Sequence, residues 1–231
     1  MDRPFYPEKI LELIPVLLPY LLVTFRIIAG TVLTGLFIGF FLAKGMLSSH
    51  NAPRKISSLI INAFRCTPSI VMLFVVFYGL PNLFWAIFKV DINGWAKSFY
   101  VILALGLLFS ASAAEIMRAS YLSVPKGQRE AALTSGLTEF QAFRRIIFPQ
   151  AFAVSLPNLG NSLIALLKEG SLAYTIGLVD VMGKGNLFIS MNFGAYAVET
   201  YTALIYWTLT ISIEQIFGRL EKHFSRGRKT F

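Results

Sequence analysis

The chain has 231 residues, 55% of them hydrophobic and only 14% charged, with a formal net charge of +9. A water-soluble domain carries about 25% charged residues, so this balance excludes one and points to an integral membrane protein. The basic residues sit at the ends of apolar runs, which argues against nucleic acid as the partner, and the single Cys66 permits no intramolecular disulfide.

In chain order, Met1 to Tyr20 holds Pro4, Pro7, Pro15 and Pro19 and reads as an interfacial lead-in or a short amphipathic helix. Its charges alternate in sign, and no cleavable signal peptide is expected there. A first span is expected at about 21–43, apolar except for Arg26. Its small residues Thr31, Gly35, Gly39 and Ala43 recur every fourth position on one face. That spacing is either a surface for close helix packing in lipid or only the general frequency of glycine in such helices. A basic loop from Lys44 to Lys55 follows. The second span, about 56–80, is interrupted at Arg65-Cys66-Thr67-Pro68. Pro68 cannot donate to the helix ladder and disfavours a helical Thr67. Backbone freed at membrane depth is tolerated only where protein or water covers it, so the break is either a pathway element or a plain kink. Trp85 and Trp95 in the next loop suit an interfacial belt. The third span, about 98–118, repeats the small face at Gly106, Ser110 and Ala114. The fourth, about 152–177, contains Pro157, Asn158, Asn161, Ser162, Lys168 and Glu169. A loop with Asp180 and Lys184 precedes the fifth, about 195–218, and the tail is basic.

Most of the Lys and Arg residues fall in the first loop, in residues 119–149 and in the tail; Arg3, Lys9, Lys89, Lys97 and Lys184 lie on the other side. The basic side is cytoplasmic. The expectation is therefore an all-α membrane protein, one domain over 1–231, with five spans, the N-terminus outside, the C-terminus inside and the 119–149 loop in the cytoplasm.

That loop is the most polar stretch of the chain. Pro125 can open a short helix, Glu130-Ala131-Ala132-Leu133 are strong helix formers, and Gly136 is placed to end it. Thr138 with Gln141 reads as a capping box opening a second helix, which Pro149 is expected to close. A helix this short is marginal in water alone, so it calls for something to dock into.

Lys168 and Glu169 are neighbours about 100° apart on a helix, so each needs its own partner. They serve either a pathway or snorkelling at the outer interface. No catalytic residues are identified. His50 and His223 have no ligand cluster at metal spacing, and no serine lies in a nucleophile elbow. Gly177 to Gly183-Lys184 misses the phosphate-loop spacing by one residue. No ATPase, metal or cofactor site of the chain's own is expected; an ATP-driven engine would be another polypeptide.

The loop resembles the cytoplasmic signature of permease subunits of binding-protein-dependent ABC importers: Glu-Ala-Ala, three residues, Gly, about nine residues, then Ile-x-x-Pro. Here these are Glu130-Ala131-Ala132, Gly136 and Ile146-Ile147-Phe148-Pro149, with Phe148 in place of the usual leucine. The likeness narrows to the polar amino-acid uptake family through Arg65-Cys66-Thr67-Pro68, Ala114-Glu115-Ile116-Met117-Arg118, the run from Ser123 to Ala132, and Leu167-Lys168-Glu169-Gly170-Ser171-Leu172. It covers about residues 15 to 222.

The resemblance implies a coupling helix carried by Lys126, Gly127, Gln128, Glu130, Ala131, Ala132 and Gly136, seated in a separate ATPase dimer that binds ATP and Mg. It implies a second permease chain, either a copy or a paralogue, an extracellular or periplasmic substrate-binding protein, and the prokaryotic plasma (inner) membrane. It places Arg65, Thr67, Asn161 and Ser162 near the substrate pathway, for which the break at Pro68 and the charged pair Lys168 and Glu169 are further candidates. Ser162 stands where some cationic amino-acid importers carry Glu, so the Asn158–Ser162 run resembles importers of polar uncharged or sulfur-containing amino acids such as cystine. The alternatives are a stand-alone secondary transporter or channel for small polar solutes, which would predict internal repeats that are not seen, and a membrane enzyme, which lacks a catalytic set.

Overall fold

The computed structural model describes residues 14–190 and 195–225, which are helical apart from short connections. We label the helices α1 (Ile14–Met46), α2 (Asn51–Arg65), α3 (Ser69–Phe88), α4 (Lys97–Leu122), α5 (Lys126–Thr134), α6 (Glu139–Ile176), α7 (Val181–Ser190) and α8 (Ala195–Ser225). Among the described residues, α1, α3, α4 and α6 are long and apolar enough to cross a membrane. At 31 residues α8 is also long, but it is less apolar and falls outside that set.

The first helix takes up the end of the expected lead-in. A tight 3-10 turn at Leu18–Tyr20 accommodates Pro19 in its first positions, where a proline's missing N–H costs nothing. Pro4 and Pro7 lie outside the described residues. The two small faces answer the question the spacing left open. Thr31, Gly35, Gly39 and Ala43 are all buried, as are Gly106, Ser110 and Ala114, and α1 lies along α4 through them. A Cβ on Gly39 would stand 2.9 Å from the Ser110 carbonyl oxygen, so the glycine is what lets the two backbones approach. The outer face of α1 is the reverse: Leu22, Phe25, Leu33, Phe37, Phe40 and Phe41 are exposed. An apolar surface of that extent suits lipid rather than water.

The break at Pro68 is complete. Pro68 is extended (φ −59°, ψ 141°), and the Thr67 hydroxyl folds back to donate to the Ala63 carbonyl at 2.7 Å. The sequence-based span of 56–80 is thus two elements. The amphipathic α2 ends at Arg65, and α3 begins at Ser69 and runs to Phe88, past the expected end at Leu80. Pro81 does not stop α3, because a π-helical turn at Val75–Gly79 precedes it and the α-helix resumes with Pro81 in its first turn.

Pro149 likewise does not close the second helix of the polar loop. The ladder passes from Glu139–Ala142 through a π-helical turn at Phe143–Ile147, and Pro149 falls in the first turn of the resumed segment Phe148–Gly170. One continuous helix therefore joins the loop to the membrane.

The main core forms around α4, which packs against α1, α2, α3 and α6. Tyr100, Val101, Ala104 and Leu105 are buried there with Ile27, Leu73 and Leu166. A separate cluster joins Leu17 of α1 to Val181 of α7 and Val198, Tyr201 and Ile205 of α8.

Candidate coupling surface and pathway

The short helix α5 forms as expected, and its two ends explain why. Pro125 precedes it in an extended conformation (ψ 136°). At the far end Gly136 takes φ +84°, a left-handed conformation suited to glycine. The Gly136 N–H donates to the Leu133 carbonyl at 3.0 Å and the Leu137 N–H to the Ala132 carbonyl at 3.1 Å. This pair of bonds is a Schellman closure, which satisfies carbonyls otherwise left open. Thr138 then starts α6 with both bonds of a capping box: its N–H donates to Gln141 Oε1 at 3.0 Å, and the Gln141 N–H donates to Thr138 Oγ1 at 3.3 Å.

Arg129 bridges the two helices through Glu139, with Arg129 Nε donating to Glu139 Oε2 at 3.0 Å. Both side chains are roughly half exposed, so solvent screens the pair and it contributes at most about 1 kcal/mol. Arg129→Ala is expected to lower thermal stability only slightly. An Arg129→Glu, Glu139→Arg exchange should restore any stability lost in Arg129→Glu, as read by thermal unfolding. Failure of the exchange to rescue a defective Arg129→Glu protein would show that Arg129 acts by another contact.

Of the coupling candidates, Lys126, Gly127, Gln128, Glu130, Ala131 and Gly136 are exposed, and only Ala132 is buried. Phe140, Phe143 and Phe148 on the adjoining part of α6 are exposed too. This nine-residue helix thus has one buried side chain and lies beside exposed aromatics.

The pathway candidates fall into two groups that meet. Glu169 on α6 lies near Ser69, the residue after the Pro68 break. The break and the Lys168-Glu169 pair are therefore neighbours in space. Along α6, Asn158, Asn161 and Lys168 are exposed and share one face, while Gly160, Leu166 and Leu167 are buried against the core. Ser162 is half-buried beside that stripe. Polar side chains on the exposed face of a membrane-spanning helix are costly against lipid. Arg65 and Thr67 lie at the α2 end of the break, with Arg65 exposed and Thr67 half-buried.

Two groups escaped the sequence reading. Asp180 is fully buried; its Oδ1 accepts from the Gly183 N–H at 2.8 Å and its Oδ2 from the Tyr206 hydroxyl at 3.4 Å. Burial raises its carboxyl above the ordinary value, against the opposing bonds from Gly183 and Tyr206. Its signal was an aspartate directly before a helix, an N-cap pattern. The second group is Glu199 with Asn186, which line a cavity with Lys168; nothing in their local sequence marks them.

Residues 35–226 match the family described as binding-protein-dependent transport system inner membrane component. The chain belongs to that family and is a multi-pass protein of the prokaryotic plasma (inner) membrane. Within the family it groups with the amino-acid permeases. It is 36% identical over 230 residues to the L-cystine transport system permease protein TcyL of Bacillus subtilis (strain 168), an alignment covering 99% of this chain and 95% of the relative. It is 35% identical to the probable amino-acid permease protein YxeN of the same organism over 225 residues, 96% of this chain and 97% of the relative. Its fold superposes with a TM-score of 0.81 and 28% identity on a solved amino acid ABC transporter crystallised with histidines, covering 95% of this chain and 99% of that one.

Proposed function

We propose that the chain is the membrane-spanning subunit of an ATP-driven amino-acid importer and that α5 is its coupling helix. The observation that carries this is the exposed α5, closed at Gly136 and joined by a short turn to α6, which carries the polar stripe of Asn158, Asn161 and Lys168. Lys126, Gly127, Gln128, Glu130, Ala131 and Ala132 meet a separate ATPase dimer, which binds ATP and Mg. The permease has no catalytic role. Closure of the ATPase pair moves α5 and, through α6, tilts the spans as rigid bodies. Arg65, Thr67, Pro68, Asn161, Ser162, Lys168 and Glu169 line the path, whose other wall is a second permease chain. A binding protein on the outer side delivers the substrate.

Five spans, α1, α3, α4, α6 and α8, place the N-terminus outside and the C-terminus in the cytoplasm with the basic loop. Support for α8 as the fifth is its 31 residues, about 46 Å of helix at 1.5 Å per residue. The substrate class is polar uncharged or sulfur-containing amino acids, cystine foremost. Ser162 in place of an acid favours this class, and so does the relative named for L-cystine.

The test is reconstitution. The permease, its ATPase and binding protein in liposomes should take up amino acid only with ATP, and Glu130→Lys should release the ATPase on purification. Uptake by the permease alone without ATP would instead mark a secondary transporter or channel. A Ser162→Cys protein, with Cys66→Ser to remove the exposed native thiol, should react with a water-soluble thiol reagent in at least one nucleotide state. Absence of labelling in every state would remove Ser162 from the path.

A further inference from the structure

Aromatic rings form a continuous ladder across the ends of three helices. Tyr121 in the last turn of α4 meets Phe143 of α6 with ring centroids 6.5 Å apart, and Phe143 meets Phe148 at 6.0 Å. Phe148 meets Phe152 at 5.9 Å, and Phe152 meets Phe224 in the last turn of α8 at 5.3 Å. Helix α8 reaches this point by lying along α6: a Cβ on Gly160 would stand 3.1 Å from the Phe217 ring. Tyr121 and Phe152 are half-buried, whereas Phe143, Phe148 and Phe224 are 41%, 51% and 46% exposed. Contiguous rings left so open are costly against water and favour an apolar cover.

The charges beside the ladder are mostly of one sign. Arg144 and Arg145 share the π-helical turn of Phe143, and both are exposed. Arg219 and Lys222 are exposed on the last two turns of α8. Among the described residues none of these cations forms an ion pair. Of the nearby acids, Glu139 is held by Arg129, and Glu221 is exposed on α8. The complement of a net positive face along open rings is an amphiphile with an anionic head. The height of the ladder favours a lipid over a protein. It starts in the last turn of the spanning helix α4 and ends against Phe152, inside the spanning part of α6. That is where spans leave the hydrocarbon and headgroups begin, the level at which basic clusters between helices take anionic lipid.

We propose that this face binds an anionic phospholipid of the cytoplasmic leaflet. Its phosphate takes the guanidinium groups of Arg144 and Arg145, and an acyl chain lies along Phe143, Phe148 and Phe224. The choice of leaflet rests on the importer reading above. The bound lipid ties the end of α8 to the start of α6, beside the coupling helix, so ATP-driven uptake depends on it.

The test is a titration. The full-length permease is purified with its ATPase in an uncharged detergent and titrated with radiolabelled phosphatidylglycerol. Saturable binding is expected. Arg144→Gln with Arg145→Gln should raise Kd about 10- to 30-fold, the worth of two basic residues at an anionic surface. Lys44→Gln with Lys55→Gln should leave Kd unchanged, since both lysines are exposed on α1 and α2, which add no ring to the ladder. On the wild-type protein, phosphatidylcholine with the same chains should compete weakly and inorganic phosphate not at all; these arms need no variant to fold. An equal loss in the lysine variant would mean diffuse surface charge and overturn the site. So would wild-type affinity in the folded arginine variant, displacement by phosphate alone, or no saturable binding. Release of the ATPase by the arginine variant with lipid binding intact would make the face a protein contact and overturn it too. In liposomes, uptake should be several-fold higher when phosphatidylglycerol is added to phosphatidylcholine, a difference lost in the arginine variant. Equal wild-type uptake in the two overturns the dependence on lipid. No uptake in either overturns the importer reading, while the titration still decides the lipid site.

Discussion

A Gly136→Val protein is expected to insert into the membrane at normal levels and to lose most ATP-driven transport. Gly136 sits at φ +84°, where an ordinary L-residue costs roughly 1–2 kcal/mol and a β-branched one is worse served. A Cβ there meets nothing within 4 Å, so the fault is backbone strain and not a clash. The strain falls on the two hydrogen bonds that close α5, and a nine-residue helix has little else to hold its end. The apolar spans are not involved, which is why insertion should survive. Uptake should fall about tenfold or more, since 1.4 kcal/mol at a docking surface is already a factor of ten. Gly136→Asn is the informative control, because asparagine tolerates the left-handed region and should retain most activity. Full transport by Gly136→Val would mean that the turn does not position the coupling surface.

The second large effect is expected at Gly39. Gly39→Leu should destabilise the whole membrane domain, because the new Cβ would lie 2.9 Å from a backbone oxygen and 3.0 Å from the Ala113 Cβ. Neither atom can swing away as a flexible side chain could. Helices α1 and α4 must separate, at a cost of about 1–3 kcal/mol for overpacking, or about 2–12 °C in Tm for a chain of this size. Gly218→Leu makes the matched control: a Cβ added there on α8 meets nothing within 4 Å. Thermal unfolding in detergent separates the two. An unchanged Tm for Gly39→Leu would show that the α1–α4 contact is looser than the buried small faces imply.

Much of this architecture was legible from residue spacing. Four-residue periodicity of small side chains marked both faces as candidates for helix contact, because one helical turn fixes which residues stack; that α1 and α4 meet there came from the structure. Gly136 and the Thr138–Gln141 pair were legible for a local reason: a cap involves only residues within a few positions of each other. Proline was the unreliable signal. Pro149 read as a stop, and the second span was expected to end at Leu80, just before Pro81; yet each proline falls just after a π-helical turn, in the first positions of a resumed segment. There its missing N–H removes no bond that the helix needs. Pro68, with no such turn before it, does break the chain.

By itself the amino-acid order determined that this chain lives in a membrane, where its small-residue faces and caps lie, and that a polar helix pair with the importer signature interrupts the apolar spans. All of these are carried by composition or by residues within about twenty positions of each other. Only the tertiary structure decided which groups meet across the chain: Ser69 beside Glu169, Asp180 buried under Tyr206, and Lys168, Asn186 and Glu199 around one cavity. Those meetings depend on how long helices cross, and a crossing is set by the summed packing of many side chains, which no local pattern records.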